Sequence, residues 1–64
     1  MLPYQQRVVE EAEELWTRIK KLQEFLESNL SNSEIPQVEL HRLTAQLNVM
    51  REYRAILLER IDNF

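Results

Sequence analysis

The chain has no cysteine and no glycine, and only two of its 64 residues are proline. Without cysteine there is no disulfide, and a single imidazole, His41, leaves no ligand set for a zinc site. Without glycine there is no Gly-rich phosphate loop, no tight hairpin turn of the positive-φ type and no Rossmann fingerprint. No apolar run approaches the roughly 20 residues of a membrane span. The opening Met1-Leu2-Pro3-Tyr4-Gln5-Gln6 also lacks the basic and apolar regions of a signal peptide. Basic residues are outnumbered, 8 Lys and Arg against 11 Asp and Glu, for a formal net charge of -3. That excludes general DNA or long-RNA binding, which relies on a broad basic surface. It leaves room for a small anion held by a few well-placed cations. The expectation is a soluble protein of a reducing cytoplasm, without a cofactor and without a membrane partner.

What is present is two long apolar-striped segments and one short break. Val8, Ala12, Leu15, Ile19, Leu22 and Leu26 alternate in steps of four and three. Leu40, Leu43, Leu47, Met50, Leu57, Ile61 and Phe64 form a second such set after the break. This spacing places each set along one side of an α-helix. The predicted fold is therefore all-α: a single helical-hairpin domain over residues 1–64. Its helices cover about 3–28 and 36–63, joined by a loop over about 29–35.

Local chemistry supports these limits. Pro3 suits a first helical position, because its φ is fixed and its missing N–H has no helical partner to lose. Glu10, Glu11, Glu13 and Glu14 precede Arg18, Lys20 and Lys21, the order that the helix dipole favours. The helix should fray around Ser28-Asn29. Ser31 and Glu34 have capping-box spacing, which predicts a short turn before Pro36. Ile35 is pushed toward an extended conformation by the following proline.

A second set of apolar residues flanks the stripes: Val9, Trp16 and Phe25, then Val38, Ala45, Val49, Tyr53 and Ile56. One internal seam cannot cover these as well. Short chains commonly need disulfides, a metal or oligomerisation to be robust. Oligomerisation is the device left, so the hairpin is expected to complete its core with copies of itself.

Catalysis is not expected. Acid–base or nucleophilic chemistry needs a nucleophile, a base and an orienting group converging in a shielded pocket. Here the serines cluster in the loop and His41 sits early in the second helix. The Glu-x-x-His motifs of a di-metal bundle are missing. Trp16 continues the Val9 flank and reads as an interface anchor rather than a ligand platform.

Cations in unusual places are the better candidates. Arg54 falls between Met50 and Leu57, where the stripe calls for an apolar side chain. Either its stem snorkels along the bundle while its head reaches water or a carboxylate such as Glu59, or symmetry-related copies converge on an anion. Arg51, next to small Ala55, competes for the second role. At the other end, Tyr4 stands at a helix first turn near Gln5, Gln6 and Arg7, where free N–H groups suit a phosphate. In an antiparallel pair of protomers, Tyr4 of one approaches Arg18 and Lys21 of the other. Tyr4 alternatively packs at a subunit contact.

The ordered motifs carry further than any single residue. The run Pro3-Tyr4-Gln5-Gln6-Arg7-Val8-Val9-Glu10-Glu11, then Glu14-Leu15, Ile19-Lys20-Lys21-Leu22 and Phe25, resembles a family of small phage proteins. Leu43, Gln46-Leu47, Met50, Tyr53, Leu57 and the ending Arg60-Ile61-Asp62-Asn63-Phe64 agree with it. That family is the crAss-phage-related group containing the phage anti-CBASS cyclic-oligonucleotide sponges. The resemblance implies a compact helical homohexamer in the host cytoplasm that sequesters cyclic di- and trinucleotide messengers without cleaving them. It implies a dinucleotide site with a tyrosine of the N-terminal region and a basic residue of the first helix. Tyr4 matches the tyrosine; Arg18, Lys20 and Lys21 compete for the base, with Lys21 favoured. For the trinucleotide site it implies an arginine of the later helix, Arg54 or Arg51. The rival expectation is an adaptor whose apolar flank grips a host or phage protein.

Overall fold

The computed structural model describes residues 1–64. Two helices, α1 (Pro3–Asn29) and α2 (Gln37–Asp62), form an antiparallel hairpin measuring 48 × 14 × 13 Å. The helix limits match the expected ones to within a residue, and no strand is present.

At the start of α1, Leu2 has extended backbone angles and Pro3 opens the first turn. The Leu2 N–H donates to Gln5 Oε1 at 2.9 Å, so a donor outside the helix finds a partner inside it. Both helices end alike. Asn29 Nδ2 donates to the Phe25 carbonyl and Asn63 Nδ2 to the Glu59 carbonyl, each at 2.7 Å. Each bond ties the asparagine side chain back to the last turn of its helix. α1 therefore stays helical through Asn29, where fraying was expected.

The turn between the helices is organised by Asn32 rather than by a Ser31–Glu34 capping box. Asn32 Nδ2 donates to Asn29 Oδ1 at 3.0 Å, and Asn32 Oδ1 accepts the Glu34 N–H at 2.9 Å. A carboxamide both donates and accepts, so it fastens the turn to the preceding helix and to the following segment. Ile35 tucks back against the end of the core, and Pro36 leads into α2 with ψ of 142°.

The core is one cluster: Val8, Ala12, Leu15, Ile19 and Leu26 of α1 with Leu40, Leu47 and Leu57 of α2. Leu22, Leu43, Met50 and Ile61 pack against it, half-buried. Every residue of the two expected stripes takes part except Phe64. The chain leaves α2 at Asn63, whose ψ of 14° ends the helix. Phe64 therefore departs from the stripe and meets Tyr4 edge-to-face, with ring centres 5.8 Å apart and planes at 77°. This contact ties the two chain ends together.

Candidate functional site

Only eight side chains are buried, and many large apolar ones stay exposed. They do not form the single flank expected from spacing. Tyr53 lies on one side of the seam and Trp16 on the other, each in its own groove.

The first groove has a volume of about 600 Å³ and is lined by Leu15, Arg18, Lys21 and Leu22 of α1 with Gln46, Met50 and Tyr53 of α2. Its floor is apolar, its α1 wall carries two cations, and no carboxylate lines it. Glu11 and Glu14 lie in an adjoining depression, which they share with Arg18 and Tyr53. Arg18 thus has anionic neighbours, whereas Lys21 lines only the acid-free groove. Gln46 closes one rim, its Nε2 lying 3.8 Å from the Met50 sulfur.

The second groove, about 240 Å³, is lined by Val9, Ala12, Glu13, Trp16, Arg54, Leu58 and Ile61. It shares no residue with the first. Here the guanidinium carbon of Arg54 stands 4.3 Å from the centre of the Trp16 ring. Lys20 Nζ lies over the same ring at 5.4 Å. Such cation–π contacts contribute about 0.5–2 kcal/mol, more as the cation loses water. Arg54 is half-buried, and its Nε is buried without a hydrogen-bond partner. Its head therefore rests on Trp16, a partner that spacing alone did not suggest for it.

The candidate cations are thus sorted by helix geometry. Lys20 and Lys21 are adjacent in sequence but about 100° apart around α1. That separation sends Lys20 to Trp16 and Lys21 to the first groove. Arg18 joins Lys21 there. Arg51 and Arg54, three residues apart, lie about 60° from one another around α2 and still meet different partners. Arg51 is exposed and donates from its guanidinium to Gln23 Oε1 at 2.9 Å, bridging the two helices.

Tyr4 and Arg7 lie at the far end of the hairpin, where Tyr4 contacts Phe64 and Arg7 is exposed. From Tyr4 to Lys21 is nearly five turns along α1, about 25 Å at 1.5 Å per residue. One protomer does not bring them together; a ligand touching both would have to lie between chains. The aromatic that one protomer does set beside Arg18 and Lys21 is Tyr53. Spacing assigned Tyr53 only to packing. Its place 80–100° around α2 from the core stripe, next to Met50, was the available signal.

No cluster of His, Cys, Asp or Glu is arranged to hold a metal ion, and neither helix is long and apolar enough to cross a membrane. No curated protein and no solved structure matches the chain. A family model does match, over residues 2–63, and it is described as Sequestin. That description fits the sponge proteins which the ordered motifs resemble, and the match takes in both helices, both grooves and the turn. The chain belongs to the Sequestin family.

Proposed function

We propose that the protein is a phage counter-defence sponge that binds cyclic oligonucleotide second messengers and holds them without cleavage, blocking CBASS-type immunity in the host cytoplasm. The observation that carries this reading is the first groove: two cations over an apolar floor, with no carboxylate, on a chain of net charge -3. A cyclic dinucleotide presents two phosphates and two planar bases, so it offers a group for each part of that surface. Membership in a family described as Sequestin supports sequestration over turnover.

In this proposal the dinucleotide lies between protomers. Lys21 and Arg18 of one chain meet the phosphates, and Tyr4, with Arg7 nearby, arrives from another. An isologous interface offers each of these residues twice, matching the two-fold character of the ligand. A stacked base contributes about 1–3 kcal/mol, and a charge-assisted bond to phosphate about 1.5–3 kcal/mol. Two of each contribute about 5–12 kcal/mol before the cost of association, so nanomolar binding, about -12 kcal/mol, also needs burial of the bases against the apolar floor. Cyclic trinucleotides are assigned to Arg54, with Arg51 as competitor, on a separate symmetry axis of a homohexamer.

Self-assembly is supported by exposed Val38, Val49 and Ile56 on α2, with Val49 64% accessible in the single chain. The same residues favour a second reading, an adaptor that grips another protein with this face. One experiment separates the two. The purified protein is melted alone and with a panel of cyclic di- and trinucleotides, and its solution mass is measured by light scattering. Sequestration predicts a mass several times 7.8 kDa. It also predicts stabilisation of about 2.7 kcal/mol at a ligand concentration 100 times Kd. Nucleotide recovered after proteolysis should be intact. An unchanged melt across the whole panel would leave the adaptor reading standing.

A further inference from the structure

Tyr4 can reach the cationic groove only from another protomer, yet the groove has an aromatic wall of its own. Tyr53 projects from α2 beside Arg18 and Lys21 and is 43% exposed. Its ring borders the acid-free groove, where the two cations meet the apolar floor, and on its other side the depression that holds Glu11 and Glu14. An apolar peptide seated here would strip water from two cations and return nothing to them, which is costly. A free phosphate would satisfy the cations and leave half-buried Leu22 and Met50 wet. A nucleotide unit answers both demands, with an anionic end for the cations and a planar base for the ring and floor. At about 600 Å³ the groove is within the size range of small-ligand sites.

We propose that Tyr53 is a ligand-binding residue, its ring stacking on a base of the cyclic nucleotide whose phosphate Lys21 and Arg18 hold. This rests on the sequestration reading above and adds to it that one protomer supplies both phosphate contacts and a stacking wall. The second helix therefore takes part in dinucleotide recognition, and base contact does not depend wholly on Tyr4 from a neighbour.

Calorimetric titration of the full chain with cyclic di-AMP, cyclic di-GMP and the mixed cyclic AMP–GMP dinucleotide tests this. The native protein is compared with Tyr53→Ala and Tyr53→Phe, and the mass of each is measured by light scattering. Tyr53→Ala should weaken binding about 5- to 150-fold, the equivalent of one stacked base. Tyr53→Phe, which keeps the ring, should stay within about threefold of native, the solution mass being unchanged in both. Native affinity in Tyr53→Ala overturns the inference and leaves the sequestration reading intact. A loss in Tyr53→Phe equal to that in Tyr53→Ala overturns it too, since the hydroxyl would then be the contact. A fall in mass in Tyr53→Ala also overturns it, because a second copy of the chain would then be what covers the ring. If the native chain binds none of the three dinucleotides, the dinucleotide part of the sequestration reading fails and this inference fails with it.

Discussion

The two grooves are built from the same materials and use them differently. Each sets an arginine beside one aromatic ring over an apolar floor, the first adding a second cation, Lys21, and the second a carboxylate, Glu13. In the second groove Arg54 is already engaged with Trp16, and Lys20 lies over the same ring from a neighbouring depression. In the first, Lys21 and Arg18 face a groove that Tyr53 borders from the other helix. A guanidinium stacked on indole is held flat, with its N–H edge directed, and a buried Nε makes its position costly without a partner. A lysine at a groove rim keeps its rotamer freedom and its hydration until an anion arrives. The comparison teaches that the same residue types can be fixed on one another in one groove and left open in the other.

The largest effect should come from what both grooves share. Ile19 and Leu57, each 1% exposed, lie in the core between them. Leu57→Ala should cost about 2–5 kcal/mol through lost burial and a residual cavity. In a chain this small that is enough to abolish both grooves together, seen as loss of the circular dichroism melt and of all ligand binding. Survival of one groove alone would mean that they fold independently.

Lys21→Glu against Lys20→Glu separates the two faces of α1 directly. Reversing Lys21 should reduce cyclic dinucleotide affinity by at least about 100-fold, since a charge-assisted bond is replaced by repulsion. Reversing Lys20, on the Trp16 side, should leave that affinity within about threefold. Calorimetry with equal outcomes for the two would erase the distinction between the grooves.

Arg54→Leu sharpens the contrast from the other side. Replacing a half-buried charge by a packed hydrophobe is often neutral or stabilising, so denaturant unfolding should shift by no more than about 1 kcal/mol in either direction. Cyclic trinucleotide binding should be lost and dinucleotide binding kept. Loss of both ligand classes together would assign the arginine to assembly.

The smallest effect belongs to Arg51, whose bond to Gln23 is exposed. Arg51→Ala should lower stability by less than about 1 kcal/mol and leave trinucleotide binding unchanged. A selective loss of trinucleotide binding would make Arg51 the carrier in place of Arg54.

Much of this was legible from residue order. The stripe from Val8 to Leu26 was read as one buried face, and it is one, with Leu22 half-covered. α2 was harder to read, because apolar residues lie on several of its sides: Val38, Val49, Ile56 and Leu58 are all exposed. Spacing could group Tyr53 with Trp16 as one flank, since both simply lie beside a stripe. Which side of the seam each takes depends on the direction in which the stripe winds and on how the partner helix is rotated. The short turn before Pro36 is present, but a different side chain holds it. Ser31 and Glu34 have the right separation, but Asn32 offers a donor and an acceptor from one side chain and takes the role.

By itself, the sequence determined the all-α class, the hairpin, the helix limits to within a residue and nearly all of the core. These follow from local preferences and from a periodicity of about 3.6 residues, which need no knowledge of a partner. Only the tertiary structure decided how neighbouring cations are divided: Lys20 to Trp16, Lys21 to the open groove, Arg51 to Gln23, Arg54 to the indole face. Residues one or three apart diverge by a fixed angle on their own helix, but what each meets is set by the other helix. That choice is non-local, made by the rotation and height at which two apolar faces pack, and no spacing within one segment encodes it.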